Sequence, residues 1–168
     1  MSKLENFERA MFEILKRISL NENIQRLLVL DGKDALTTNF SPLSFQQLLK
    51  DQYLSVSPSL ENGIQNMERN SFLIVTYEDF DFEGVEGNIV AKGSIYIGTH
   101  NQHILLNNNK HRLLQLLDYI YDTLNGFKAT ISGAVSILSA LRLNYSEYVS
   151  GFDVQFEIRE QPTKKVVL

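Results

Sequence analysis

The chain has no cysteine and no tryptophan, only three prolines among its 168 residues, and no uninterrupted apolar run near 18 residues. Without cysteine there can be no disulfide, no thiolate metal site and no cysteine nucleophile, and nothing ties the chain to an oxidising compartment. Without a long apolar run, no helix is expected to span a membrane. The opening Met1-Ser2-Lys3-Leu4-Glu5 runs straight into an amphipathic pattern and lacks the basic start and apolar stretch of a signal peptide. The expectation is a protein acting in the cytoplasm where it is made, or in a particle assembled there. Basic residues are the minority, 16 Lys and Arg against 20 Asp and Glu, for a net charge of −4. A protein that grips nucleic acid by neutralising phosphates carries the opposite balance, although a local basic patch is compatible with this one.

Catalytic motifs are missing too. There is no G-x-S-x-G elbow, no G-x-x-x-x-G-K-[ST] loop and no G-x-G-x-x-G turn, and Ser132-Gly133-Ala134-Val135-Ser136 lacks a strand–turn–helix context. His100 and His103, with His111 further on, form the one histidine cluster; with no carboxylate between 98 and 117 they read as solvated loop residues rather than metal ligands. No cofactor, no metal and no enzymatic activity are expected.

What is present is a well-patterned fold, ordinary in its 43% apolar and 21% charged residues. Leu4, Phe7, Met11, Ile14, Leu15 and Ile18 form one helical stripe, with Ser2 and Glu5 as a capping pair and Lys16 and Arg17 at the negative end of the dipole. This stripe suits a core helix or a contact with a neighbouring subunit. A second helix is expected over Asn23–Leu30, a short helical piece over Leu43–Lys50, a strand over Tyr53–Val56 and a loop over 57–70. Phe72–Tyr77, almost continuously apolar, predicts a strand covered on both faces, and Asn88–Gly98 a second strand paired with it, Gly93 marking a bulge or bend. Between them, Glu78 to Gly87 is expected at the hairpin tip. Its Asp79-Phe80-Asp81-Phe82-Glu83 run only partly matches a calcium loop and reads as a solvated tip or as a docking loop that inserts Phe80 and Phe82 into a neighbour. The longest helix is expected over Lys110–Leu124, capped by Asn107–Asn109 and ended by Asn125-Gly126. Thr130–Leu141 reads as extended, Ser150-Gly151 as a turn, and Phe152–Arg159 as a half-exposed alternating strand.

The fold class expected is α+β: a mostly antiparallel sheet of about four strands, with N-terminal helices and one long central amphipathic helix packed on it. One domain is expected over residues 1–160, with 161–168 as a tail, a candidate partner-binding arm.

This order of elements resembles the tail-terminator and neck (head–tail connector) proteins of tailed bacteriophages. The resemblance is carried by the N-terminal helices, the Ser71–Tyr77 strand, the hairpin with a variable tip at Glu78–Gly87, the leucine-rich Leu113-Leu114-Gln115-Leu116-Leu117-Asp118-Tyr119-Ile120, the Leu124-Asn125-Gly126 turn and the closing Gly151–Ile158 strand. Ile24–Leu36, a leucine-rich helical end running into Asp31-Gly32-Lys33-Asp34, is similar to some connector proteins. The resemblance spans about residues 4–160 and implies a virion structural protein, assembled in the host cytoplasm. Copies would close into a six- or twelve-fold homo-oligomeric ring that caps the tail or extends the portal channel. Its partners would be portal, connector or tail-tube proteins, with DNA passing through the lumen without specific binding. The interface residues expected are Glu78, Asp79, Phe80, Asp81, Phe82, Glu83, Glu86, Val166, Val167 and Leu168, the acids facing the channel or the next ring. A non-viral oligomerising adaptor, a small enzyme with a site of scattered polar residues, or a nucleic-acid-binding domain are the other readings.

Overall fold

A computed structural model describes residues 3–57, 71–83, 88–129 and 133–159. The N-terminal stripe folds as α1, Lys3–Ser19, and buries Phe7, Met11, Ile14, Leu15 and Ile18. Each such side chain contributes about 1.5–3 kcal/mol. Asn21 caps α2, Glu22–Val29, by accepting from the backbone N–H groups of Asn23 and Ile24, and Ser44 caps α3, Phe45–Lys50, through Gln47. Then come β1, Leu54–Val56, β2, Ser71–Glu83, and β3, Asn88–His100. Two short 3-10 turns lead into α4, Arg112–Leu124, followed by β4, Lys128–Ala129, β5, Gly133–Asn144, and β6, Val149–Arg159.

The α+β class holds, but the sheet has six strands in the order β1-β2-β3-β6-β5-β4, and it is mixed. The short edge strand β1 runs parallel to β2, and every other pairing is antiparallel. β1 lies where a strand was expected, over Tyr53–Val56; β4, two residues long, is too short to carry a period-two pattern. There is also no long central helix. At 13 residues α4 is shorter than the 17-residue α1, because Asn107–Asn109 form their own 3-10 turn, Lys110 is extended and Leu105 bridges His111. Gly126, at φ +78°, ends α4 as its sequence position implied.

The helices cover one face of the sheet. Leu73 and Val75 of β2, Ile95 and Ile97 of β3 and Val154, Phe156 and Ile158 of β6 join the core made by α1, α2 and α4. Beneath this layer the polar stretch 30–43 is held by two long-range clamps. The Gln25 side chain donates to Ser19 O and Leu43 O and accepts from Leu43 N. Arg112 is fully buried, and its guanidinium donates to the carbonyls of His103, Leu27, Leu30 and Gly32, each at 2.7 Å. Those oxygens include the orphan acceptors at the end of α2, so one cation satisfies a helix terminus and two loops together.

Ser150-Gly151 is not a turn. Both residues lie inside β6, and the chain reverses at Tyr145–Tyr148 instead. Gly151 pairs with Gly98 across the sheet. A Cβ on Gly151 would sit 1.9 Å from Ile97 O and 2.5 Å from the Tyr145 ring, and one on Gly98 would sit 2.4 Å from the Phe72 ring. The glycines are there for close approach: two aromatic rings, 5.3 Å apart, lie on bare backbone.

Candidate functional site

The face of the sheet away from the helices is ordered in rows across β2, β3, β6 and β5. The first row is Phe72, Gly98, Gly151 and Leu143; the second is Ile74, Tyr96, Asp153 and Leu141. The third is Thr76, Ser94, Gln155 and Ser139, and the fourth is Asp79, Lys92, Glu157 and Ser136. The surface therefore grades from aromatic near the β5–β6 turn to charged near the β2–β3 tip.

Two β-bulges shape it. In β2 the register shifts between Tyr77 and Asp79, and in β5 between Ile137 and Ser139. The sequence dictates the first. Leu73, Val75 and Tyr77 are in phase with each other and out of phase with Phe80, so a single extra residue, Glu78, is needed to return Phe80 to the helix side. Gly93, which suggested a bulge, lies opposite this one rather than in it. The two bulged residues, Glu78 and Leu138, line the same shallow depression of about 160 Å³, together with Asp79, Lys92, Gly93, Ser94, Gln155 and Phe156. That volume is below the few hundred Å³ typical of small-molecule sites.

Its electrostatics are acidic and partly satisfied at home. Glu78 accepts from the Tyr96 hydroxyl at 2.7 Å. Burial and then this bond push the Tyr96 phenol up to about 12. The carboxyl of Asp153 is raised above its ordinary value, first by burial, with the charge of Glu78 adding and hydrogen bonds from Ser94 and Gln155 opposing. Its Oδ1 is buried without a hydrogen-bond partner. Ser139 donates to Gln155 at 2.9 Å. None of the residues lining the depression is a histidine, so the serines have no imidazole base within it.

The residues expected at the interface are placed as follows. Glu78 to Glu83 are not a hairpin tip: they continue β2, with Asp81 opposite Val90 and Phe80 opposite Ala91. Asp79 accepts from the Phe80 N–H, and Asp81 is paired with Lys92. Phe80 is half-buried. Its ring packs on Phe7 of α1 and on Tyr77, at 5.8 and 5.1 Å between centroids. The side chains of Phe82 and Glu83, and Glu86, Val166, Val167 and Leu168 altogether, lie outside the described residues, as does the greater part of the 57–70 loop. The structure thus joins Glu78 and Asp79 in one depression and leaves Asp81 beside it. Sequence reasoning missed Leu138, Asp153 and Gln155; the phase break in β2 was the available signal for a bulge there.

Two of the three histidines come together: the rings of His100 and His103 lie 5.9 Å apart between centroids. His100 also stacks on Tyr148, His103 Nδ1 lies 3.0 Å from Asp31 O, and burial lowers the pKa of His111, whose Nδ1 has no partner. Among the described residues no group of three potential ligands comes together, and no helix is long and apolar enough to cross a membrane.

Protein-family models and the curated proteins both give no match to this chain.

Proposed function

We propose that the protein is a structural subunit that assembles through its surfaces, and specifically a virion component of the head–tail junction of a tailed phage. The observation that carries the assembly reading is a pair of unlike apolar surfaces. On the helix layer Phe12 of α1 and Leu114 and Tyr121 of α4 are about half exposed, at 52, 49 and 48%. On the sheet, Leu138 and Leu141 of β5 are exposed at 53 and 52%. Exposed apolar groups mark a contact site where they adjoin in one patch, which is what this reading requires of each set. Two different surfaces on one subunit are what a head-to-tail contact needs, and such contacts close into rings when the rotation allows. The element order supports the narrower reading by its likeness to tail-terminator and neck proteins. At the rim of that face the acids Asp79, Asp81 and Glu157 outnumber Lys92 and Arg159, which pair with Asp81 and Glu157, and the weakly negative edge that results suits a conduit through which DNA slides without being held.

The test is immunogold microscopy of the particles produced by the genome that encodes this chain, with antibody raised against the purified protein. Label confined to the point where head meets tail is the expected result. Unlabelled particles, or a genome that makes none, would remove the phage assignment.

A further inference from the structure

α1 turns its apolar stripe to the core and carries a second row on its outer side. Glu8, Phe12 and Lys16 follow one another in steps of four residues, so they stand on one ridge of the helix, and all three are exposed. Phe12, at the centre of the ridge, is 52% exposed, and Leu20, 71% exposed, prolongs the row past the end of the helix. Charge is unevenly placed along it. Glu8 lies four residues before Phe12, and Lys16 four residues after. Read backwards, the ridge is opposite in sign to itself. The neighbouring row, Glu5, Arg9, Glu13 and Arg17, alternates in sign and has the same property.

We propose that two copies of the chain pair through this ridge, α1 against α1, about a two-fold axis at Phe12. Ridges built on four-residue steps run alongside each other when two helices cross at about −50°. The two-fold sets the second ridge antiparallel to the first. Phe12 then meets its own counterpart, Glu8 comes beside Lys16 of the second copy, and Lys16 beside Glu8. A contact of this symmetry needs a surface complementary to itself, and the reversal of charge about Phe12 makes this ridge one. The aromatic rings supply the burial. The charges supply direction and register: set parallel, two such ridges would bring Glu8 against Glu8 and Lys16 against Lys16. The inference goes beyond the head-to-tail reading and does not need it. Phe12 also belongs to the helix-layer surface of that reading, so a copy paired through α1 cannot at the same time offer Phe12 to a ring neighbour. The pair is the form of the free subunit, and a ring is built from pairs that have opened.

Two full-length variants test this by sedimentation velocity beside the parent: Glu8→Lys and Lys16→Glu, at exposed positions, with circular dichroism to check that each is folded. The parent is expected to dimerise as its concentration rises. Either substitution turns both cross-pairs of the dimer into like charges, so each variant is expected to associate roughly tenfold or more weakly. Mixed one to one, the two variants regain opposite charges at both cross-pairs and are expected to dimerise as the parent does. A parent that stays monomeric at every concentration it tolerates, variants that associate like the parent, or a mixture that stays as weak as its parts would each overturn the proposal. The two readings fail separately. Label at the head–tail junction with a parent that does not pair, or with variants that pair unaltered, defeats this contact alone. Pairing that follows the charge exchange, without such label, defeats the phage assignment alone.

Discussion

The two faces of the sheet are built from alternate residues of the same strands, yet they do different work. On the helix side Leu73, Val75, Ile95, Ile97, Val154 and Phe156 are wholly dry. On the other side the same strands carry Thr76, Ser94 and Tyr96, which are buried as well, and the half-buried Asp153 and Gln155, ordered by hydrogen bonds around two carboxylates. The first face spends its residues on burial, which is non-directional and tolerates exchange of one aliphatic group for another. The second spends them on directional polar contacts that specify a surface. The difference teaches where to look for each property: tolerance of exchange under the helices, and geometric specificity on the other side.

The sharpest way to break that comparison is Arg112→Ala. It removes a buried guanidinium that serves four carbonyl oxygens, of which Gly32 O keeps the Ala35 N–H, in addition to opening a cavity. A loss of about 3–5 kcal/mol is expected by denaturant unfolding. A loss below about 1 kcal/mol would show that water replaces the clamp, and that the helix layer is less dry than its aliphatic packing implies.

Arg112 also shows what the sequence made legible. The stripe of α1, the stop at Gly126 and the alternation of Phe152 to Ile158 are local patterns, and they were readable because period and helix-end chemistry act within a few residues. The Arg112 partners lie about 80 residues away along the chain, and no period announces such a contact. The same holds for the candidate site. Glu78 and Asp79 were visible as acids, but their depression is completed by Leu138, Gln155 and Phe156 from β5 and β6. The acidic run was read as a tip because charge usually marks a turn; here a bulge keeps the strand going with Phe80 on the core side.

Smaller, and on the open face, is Gly151→Ala. The new methyl has nowhere to go between Ile97 O and the Tyr145 ring, whose hydroxyl lies 3.1 Å from that same carbonyl oxygen. Backbone or ring must shift, at a cost of about 1–3 kcal/mol. If recognition depends on the rows of this face, association should weaken along with stability. Sedimentation of a sample that calorimetry shows to be still folded separates the two effects. A variant that loses stability and associates as before would show that the rows of this face take no part in association.

The smallest effect sharpens the comparison through pH. Burial raises the Asp153 carboxyl above its ordinary 3.8, so the folded chain favours the protonated acid more than the unfolded chain does. The sign follows from linkage: this group's stabilising contribution is complete below the unfolded value and is lost as pH rises through the folded one. At neutral pH the wild-type chain carries a charged, poorly solvated Asp153 beside Glu78. Asp153→Asn keeps an acceptor for Ser94 and Gln155 and removes the charge. It should therefore be the more stable protein at pH 7, with its advantage shrinking as pH falls through the raised folded value and constant once it is well below the ordinary 3.8, where the wild-type carboxyl is neutral as well. Urea unfolding of both proteins across that range measures the difference. An asparagine variant that is less stable at pH 7, with the deficit closing in acid, would mean that the open face solvates its carboxylate well. The contrast between a dry face and a half-dry one would then have to be withdrawn.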